Sequence, residues 1–189
     1  MMRQLIVGAA VFVAVSENSP SNVWACGKMS QRQKCNAGEE HKMVPVDPEG
    51  CTIAEVAGGV INGEGFALLM SIAGRLKVLQ IDTSGFLEIV EHKFFNDLDV
   101  VLSSIACSGS LCAATTDVGD VYVWGNLIGD SDGGDGRCEN LWSTPPAILG
   151  QFRGRGVVVR EIAVSDSLND EKCLLALCGE LLILRIVHT

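Results

Sequence analysis

Between Gly129 and Gly136 the sequence reads GDSDGGDG. Asp130, Asp132 and Asp135 share one glycine-rich stretch, with Glu139 just beyond. Carboxylates spaced this closely on a flexible loop are the raw material of a calcium site. A calcium loop of the EF-hand type needs glycine at its sixth position, and counting from Asp130 that position is Asp135. The stretch therefore reads as a solvated acidic loop. A second charged stretch, QFRGRGVVVR, carries Arg153, Arg155 and Arg160 between glycines. It reads as a linker, and as the one local basic patch suited to an acidic partner. Trp142 lies between the two stretches, outside any patterned strand, where an indole serves as a surface contact. Asp130, Asp132, Asp135, Trp142, Arg153 and Arg155 are thus the candidate partner-contact residues.

Catalytic and cofactor chemistry find little footing. The eight cysteines contain no Cys-x-x-Cys pair, and His41, His92 and His188 stand far apart, so zinc has no ligand set of usual spacing. Cys107 and Cys112 are five apart, as are Cys173 and Cys178, and all four sit in or beside apolar runs. They read as small buried hydrophobes in a reducing compartment, with disulfides as the alternative. There is no phosphate-binding glycine loop opening a helix, and Ser108-Gly109-Ser110 is not a nucleophile elbow. No catalytic, cofactor or metal residue is assigned, and the expectation is a protein that is not an enzyme.

The elements that must carry these loops come from a chain of 189 residues, 48% of them hydrophobic, long enough for a sizeable core. With 23 acids against 14 bases the net charge is −9, which disfavours binding along a nucleic-acid backbone. The apolar run Leu5 to Val15 is too short to span a bilayer. Two readings of the N-terminus stay open. Arg3, the apolar run and Ala14-Val15-Ser16 resemble a secretory signal, which would make residues 1 to 16 a leader and the protein secreted and disulfide-stabilised. The other reading, expected here, is that Leu5 to Val15 belongs to the folded core of a cytoplasmic or nuclear protein.

That expectation comes from a repeat. SSIACSGSLCAATTDVGDVYVWG contains two apolar runs, a glycine turn and a third run ending in Trp124-Gly125. LIVGAAVFVAVSENSPSNVWACG has the same order and ends in Trp24-Ala25-Cys26-Gly27. In the middle of the chain Gly74, Leu76 and Leu79 match Gly119, Val121 and Trp124; near the end Gly179, Leu181 and Leu184 do so. The copies start at Leu5, Val56, Ile105 and Ile162, spacings of 51, 49 and 57 residues. Each copy consists of short apolar runs bounded by Gly, Asn, Asp and Ser, which is strand and hairpin chemistry. Phe12 to Val15, Phe66 to Met70, Leu111 to Thr115 and Cys173 to Leu177 are each expected as a strand paired with the one after it. FFNDLDVVLSSI is the nearest approach to a helix and fits a linker equally well. Small antiparallel units at this period predict an all-β chain built as blades of a β-propeller. The blades are expected at about 1–50, 51–100, 101–156 and 157–189, the last incomplete, in a single partial propeller.

The third copy resembles a repeat of the regulator of chromosome condensation family. The likeness rests on Ile105-Ala106-Cys107, the strand from Leu111, Gly119 to Asn126 with its Tyr122-Val123-Trp124-Gly125, then Gly129, Gly136 and Thr144-Pro145-Pro146. The first copy fits more loosely through Trp24, Cys26-Gly27, Gly38 and Pro45, while Gln80 and Arg185 stand where the motif has Gly. The resemblance implies a seven-bladed propeller, of which this chain holds about half. Such a chain is a piece of a longer propeller, pairs with a second copy or another protein through its open blade faces, or closes differently. The family's roles imply a protein-binding scaffold, with guanine-nucleotide exchange or regulation of a small GTPase as the sharper alternative. The family's chromatin role is opposed by the charge. No cofactor, membrane or nucleic-acid partner is expected.

Overall fold

The computed structural model describes residues 2–7, 11–16, 23–27, 44–46, 50–61, 64–81, 87–109, 111–125, 145–150, 158–166, 172–178 and 181–187. They form four antiparallel sheets, each a simple meander. The first holds β1 (Met2–Val7), β2 (Val11–Ser16), β3 (Val23–Gly27) and β4 (Val44–Val46). The second holds β5 (Ile53–Ile61), β6 (Glu64–Ser71), β7 (Leu76–Ile81) and β8 (Leu87–Glu91). One helical turn, α1 (Lys93–Asp97), leads into the third sheet: β9 (Leu102–Ser108), β10 (Leu111–Thr116), β11 (Val121–Gly125) and β12 (Ala147–Ile148). The fourth has three strands, β13 (Glu161–Asp166), β14 (Lys172–Cys178) and β15 (Leu181–Val187). All four strands expected from the repeated apolar run are present as β2, β6, β10 and β14, and each pairs with the strand after it. Of the run Leu5 to Val15, Leu5 to Val7 fall on β1 and Val11 to Val15 on β2, which pair with each other.

The first strands of the sheets form a row: β5 packs against β1 and β9, and β9 against β13. Each anchor of the repeat sits in this row, preceded by a polar residue in Glu55, Ser104 and Glu161. Glu55 joins two blades directly. Its Oε2 accepts from the Ile105 backbone N–H at 3.0 Å and its Oε1 from the Ser104 hydroxyl at 3.4 Å. The carboxylate thereby satisfies an edge amide of β9 that the neighbouring sheet's backbone does not.

In the two middle sheets β6, β10 and β11 are buried on both faces, which is why they read as largely continuous apolar runs rather than alternating ones. In β7, Leu79 packs with Val23, Ala25 and Val56 towards the first sheet, while Leu76 and Val78 face the third. In β11, Tyr122 and Trp124 face the second sheet, while Val121 and Val123 meet Val159 on the fourth side. Leu79 and Trp124 therefore occupy the same place in their blades, as the repeat requires. Gln80, standing where the motif has Gly, uses its side chain to bridge to its cross-strand partner Glu88 at 2.7 Å.

The turns repeat atom for atom. The Gly74 N–H donates to Ser71 O at 2.9 Å, and the Gly119 N–H to Thr116 O at 2.9 Å. The hydroxyls of Ser71 and Thr116 accept from the amides of Arg75 and Asp120, at 3.1 and 3.0 Å. Both glycines hold left-handed backbone, φ +71° and +87°. A Cβ on Gly74 would lie 2.7 Å from the Leu102 amide, and one on Gly119 would lie 2.7 Å from Val158 Cα. Each turn tip thus presses on the start of the next blade. Gly119→Ala is expected to cost at least the roughly 1–2 kcal/mol of a left-handed L-residue, with the displacement of Val158 added. Urea denaturation measures it, and an unchanged midpoint would show that the tip does not press there.

Candidate functional site

The described residue groups with distinctive chemistry gather where α1 crosses the seam between the second and third sheets. The short helix is held down by polar ties. Arg75 pairs with Asp99 and donates to the Asn96 carbonyl at 3.3 Å, so a cation meets the carbonyl end of the helix at an oxygen that also accepts from the Asp99 N–H. Asn96 in turn donates to Glu91. These bonds fix the backbone so that Phe95 drops into the core, fully buried.

Five rings then stack edge to face. Phe95 lies 5.3 Å from both Tyr122 and Trp124, and 5.0 Å from His92; His92 lies 5.5 Å from Trp124. Phe94 completes the set at 5.2 Å from Phe95 and 6.0 Å from Tyr122. Tilted and T-shaped arrangements of this kind add to the stability of simple burial. Beside them opens a recess of about 310 Å³ lined by Val78, Val90, Glu91, His92, Lys93 and Phe94. Its wall is aliphatic and aromatic, and its rim carries the exposed carboxylate of Glu91 and the exposed ammonium of Lys93.

Burial among rings lowers the His92 pKa to about 4, so the imidazole is neutral at physiological pH. A neutral, weakly basic imidazole on an apolar wall suits packing better than proton transfer. Across the same blade Lys77 is buried and reaches its cross-strand partner Glu91, Nζ to Oε1 3.1 Å. The arrangement can receive an apolar or aromatic side chain flanked by charge. Among the described residues no three of His, Cys, Asp and Glu gather as metal ligands, and no helix is long and apolar enough to cross a membrane.

Asp130, Asp132, Asp135, Trp142, Arg153 and Arg155, the contact residues expected from sequence, lie outside the described residues. The recess went unread in the sequence because it belongs to a connection between repeats. His92 stands alone in its stretch, and the adjoining Phe94-Phe95 was the available signal: two large aromatics in what reads as a linker need something to bury them.

Several solved structures share the fold. Human WBSCR16 superposes with a TM-score of 0.59 at 15% identity, over 93% of this chain and 47% of that one. The β-propeller domain of Cps50 (Swd1) from Myceliophteria thermophila gives 0.59 at 11% identity, over 100% and 51%. Prp20p from Saccharomyces cerevisiae gives 0.52 at 14%, over 86% and 41%. No protein-family model matches the sequence, and no curated protein does. The architecture is that of a β-propeller, present in part: this chain spans about half the length of the solved structures it matches.

Proposed function

We propose that the chain is a protein-binding scaffold that takes an apolar side chain of its partner into the recess beside His92. The observation that carries this is the recess itself, a preformed apolar hollow whose wall is locked by ring packing and whose rim is charged. A rigid pocket loses little entropy on binding, which favours an anchor residue there. The finer reading is regulation of a small GTPase, including guanine-nucleotide exchange. It rests on the family resemblance of the third copy and on the likeness to Prp20p, which binds Gsp1p and histones. A net charge of −9 disfavours nucleic acid as the partner, and the reading goes with a cytoplasmic or nuclear location.

The test uses purified small GTPases loaded with a fluorescent guanine nucleotide. Binding together with faster nucleotide release supports exchange, and binding alone supports the scaffold. Lys93→Glu and Phe94→Ala should each weaken that binding about tenfold or more while the fold is retained. Binding indifferent to both would move the site away from the recess.

The open row of blades carries a prediction of its own. Interior blades bury Leu79 and Trp124 against a neighbour, whereas the first blade's equivalent, Trp24, stays partly exposed. Contiguous apolar faces are seldom left bare in soluble monomers. Sedimentation at low micromolar concentration is expected to show self-association, and a monomer with a sharp, concentration-independent melting transition would contradict it.

A further inference from the structure

Cys107 and Cys112 look alike in sequence to Cys173 and Cys178, five residues apart in each case, but the fold separates the two pairs. Cys173 and Cys178 lie along one strand, β14, and their cross-strand partners are Ser165, Ile186 and Leu181. Cys107 and Cys112 lie on opposite arms of the β9–β10 hairpin, which closes at Ser108 and Leu111, and they are direct cross-strand partners. The Cys107 thiol donates to Cys112 Sγ at 2.8 Å. Direct antiparallel partners have Cα atoms roughly 4.5–5.5 Å apart, within the roughly 4.4–6.8 Å that a disulfide spans. Backbone and side chains are therefore already set for a covalent bridge.

We propose that Cys107 and Cys112 form a dithiol couple that closes to a disulfide within the third blade when the protein meets a low-molecular-weight disulfide. Access sets the order of events. Of the two residues Cys107 is the less buried, packed against the core cluster while Cys112 lies inside it, so Cys107 is the entry. Its thiolate attacks one sulfur of the small disulfide, forms a mixed disulfide and releases one small thiol, which takes up the proton Cys107 lost. Cys112 then gives up its proton, attacks Cys107 Sγ and expels the second small thiol. Two protein thiols are oxidised, one small disulfide is reduced to two thiols, and no other reactant is needed. The mixed disulfide is short-lived because the second sulfur is already in contact. Burial and the neighbouring Cys112 thiol push the Cys107 pKa well up, so closure is slow at neutral pH and speeds up about tenfold per pH unit as the thiolate fraction grows.

The probe is oxidised glutathione at millimolar concentration on the folded chain, followed by maleimide capping, trypsin and mass measurement. The tryptic peptide Phe94–Arg137 contains these two cysteines and no others. It is expected two hydrogens lighter and uncapped, and to regain both caps after dithiothreitol. Cys112→Ser should instead accumulate glutathione on Cys107, and Cys107→Ser should leave Cys112 unmodified in the native fold. A wild-type peptide that carries a lasting glutathione adduct, is capped at both sites, or is cross-linked to another peptide would overturn the proposal. The wild-type measurement decides this even if a variant fails to fold.

Discussion

Replacing Trp124 with alanine will lower the unfolding free energy by about 3–5 kcal/mol. The indole is 1% exposed and lies between the second and third sheets in one apolar cluster with Leu76, Val78 and Phe95. Its removal takes away the ring contacts with His92 and Phe95 and leaves a cavity that β-strands on both sides cannot collapse to fill. Its Nε1 has no hydrogen-bond partner among the described residues, so the side chain contributes by shape and apolar area. Trp124→Phe should accordingly recover much of the loss. Guanidinium unfolding of the two variants measures the difference, and an alanine variant as stable as the wild type would show that the seam is not packed as described.

Acidification will destabilise the fold through His92. In the unfolded chain an imidazole takes its proton near pH 6.5, whereas the folded chain resists until about pH 4. Between those values the unfolded state binds the extra proton, so stability present above pH 6.5 is lost as the pH falls through the window. The gap corresponds to about 3 kcal/mol at full extent. Glu55 acts in the opposite sense. Burial raises its pKa, with hydrogen bonds from Ile105 and Ser104 opposing and Glu161 adding repulsion. Its contribution is therefore present at low pH and lost as the pH rises through the raised value. His92→Phe, which keeps a ring against Phe95 and Trp124, should flatten the stability profile between pH 6.5 and 4. A slope in that window equal to wild type would mean another group titrates there.

The strands and their facing were legible in the sequence because they are repeated. Trp124 and Leu79, matched by position alone, turn out to face the same way in consecutive blades, and Gly74 and Gly119 make the same turn. Strands β6, β10 and β11 gave largely unbroken apolar runs since both their faces are covered. What does not repeat was harder to read. The recess lies on the connection holding His92 and Phe94, and nothing in the pattern of the blades specifies a linker. Lys77 sits buried at the position of Tyr122 because its ammonium meets Glu91 across the strand pair, a pairing set by register rather than by local sequence. Cys107–Cys112 and Cys173–Cys178 have one spacing and two geometries, since a five-residue step crosses a hairpin in one case and runs along a strand in the other. The acidic residues Asp130, Asp132 and Asp135 and the arginines Arg153 and Arg155 carry charge patterns plain in the sequence, and they lie outside the described residues.

The turn tips give the molecule a polarity. Gly74 O accepts from the Leu102 amide at 3.0 Å, and the Gly119 turn abuts Val158, so each glycine tip is covered by the blade that follows it, while the turn behind it is tied to the start of its own blade through Ile72 N–H to Thr52 O and Asp117 N–H to Val101 O. Cutting away the last blade would unseal the Gly119 tip and bare Val121 and Val123 in one step. Cutting away the first would leave both tips sealed. The two ends of this array are thus unequal in what they protect, and shortening it from the C-terminal side strips a turn and a strand face together, whereas shortening it from the other side strips a strand face alone.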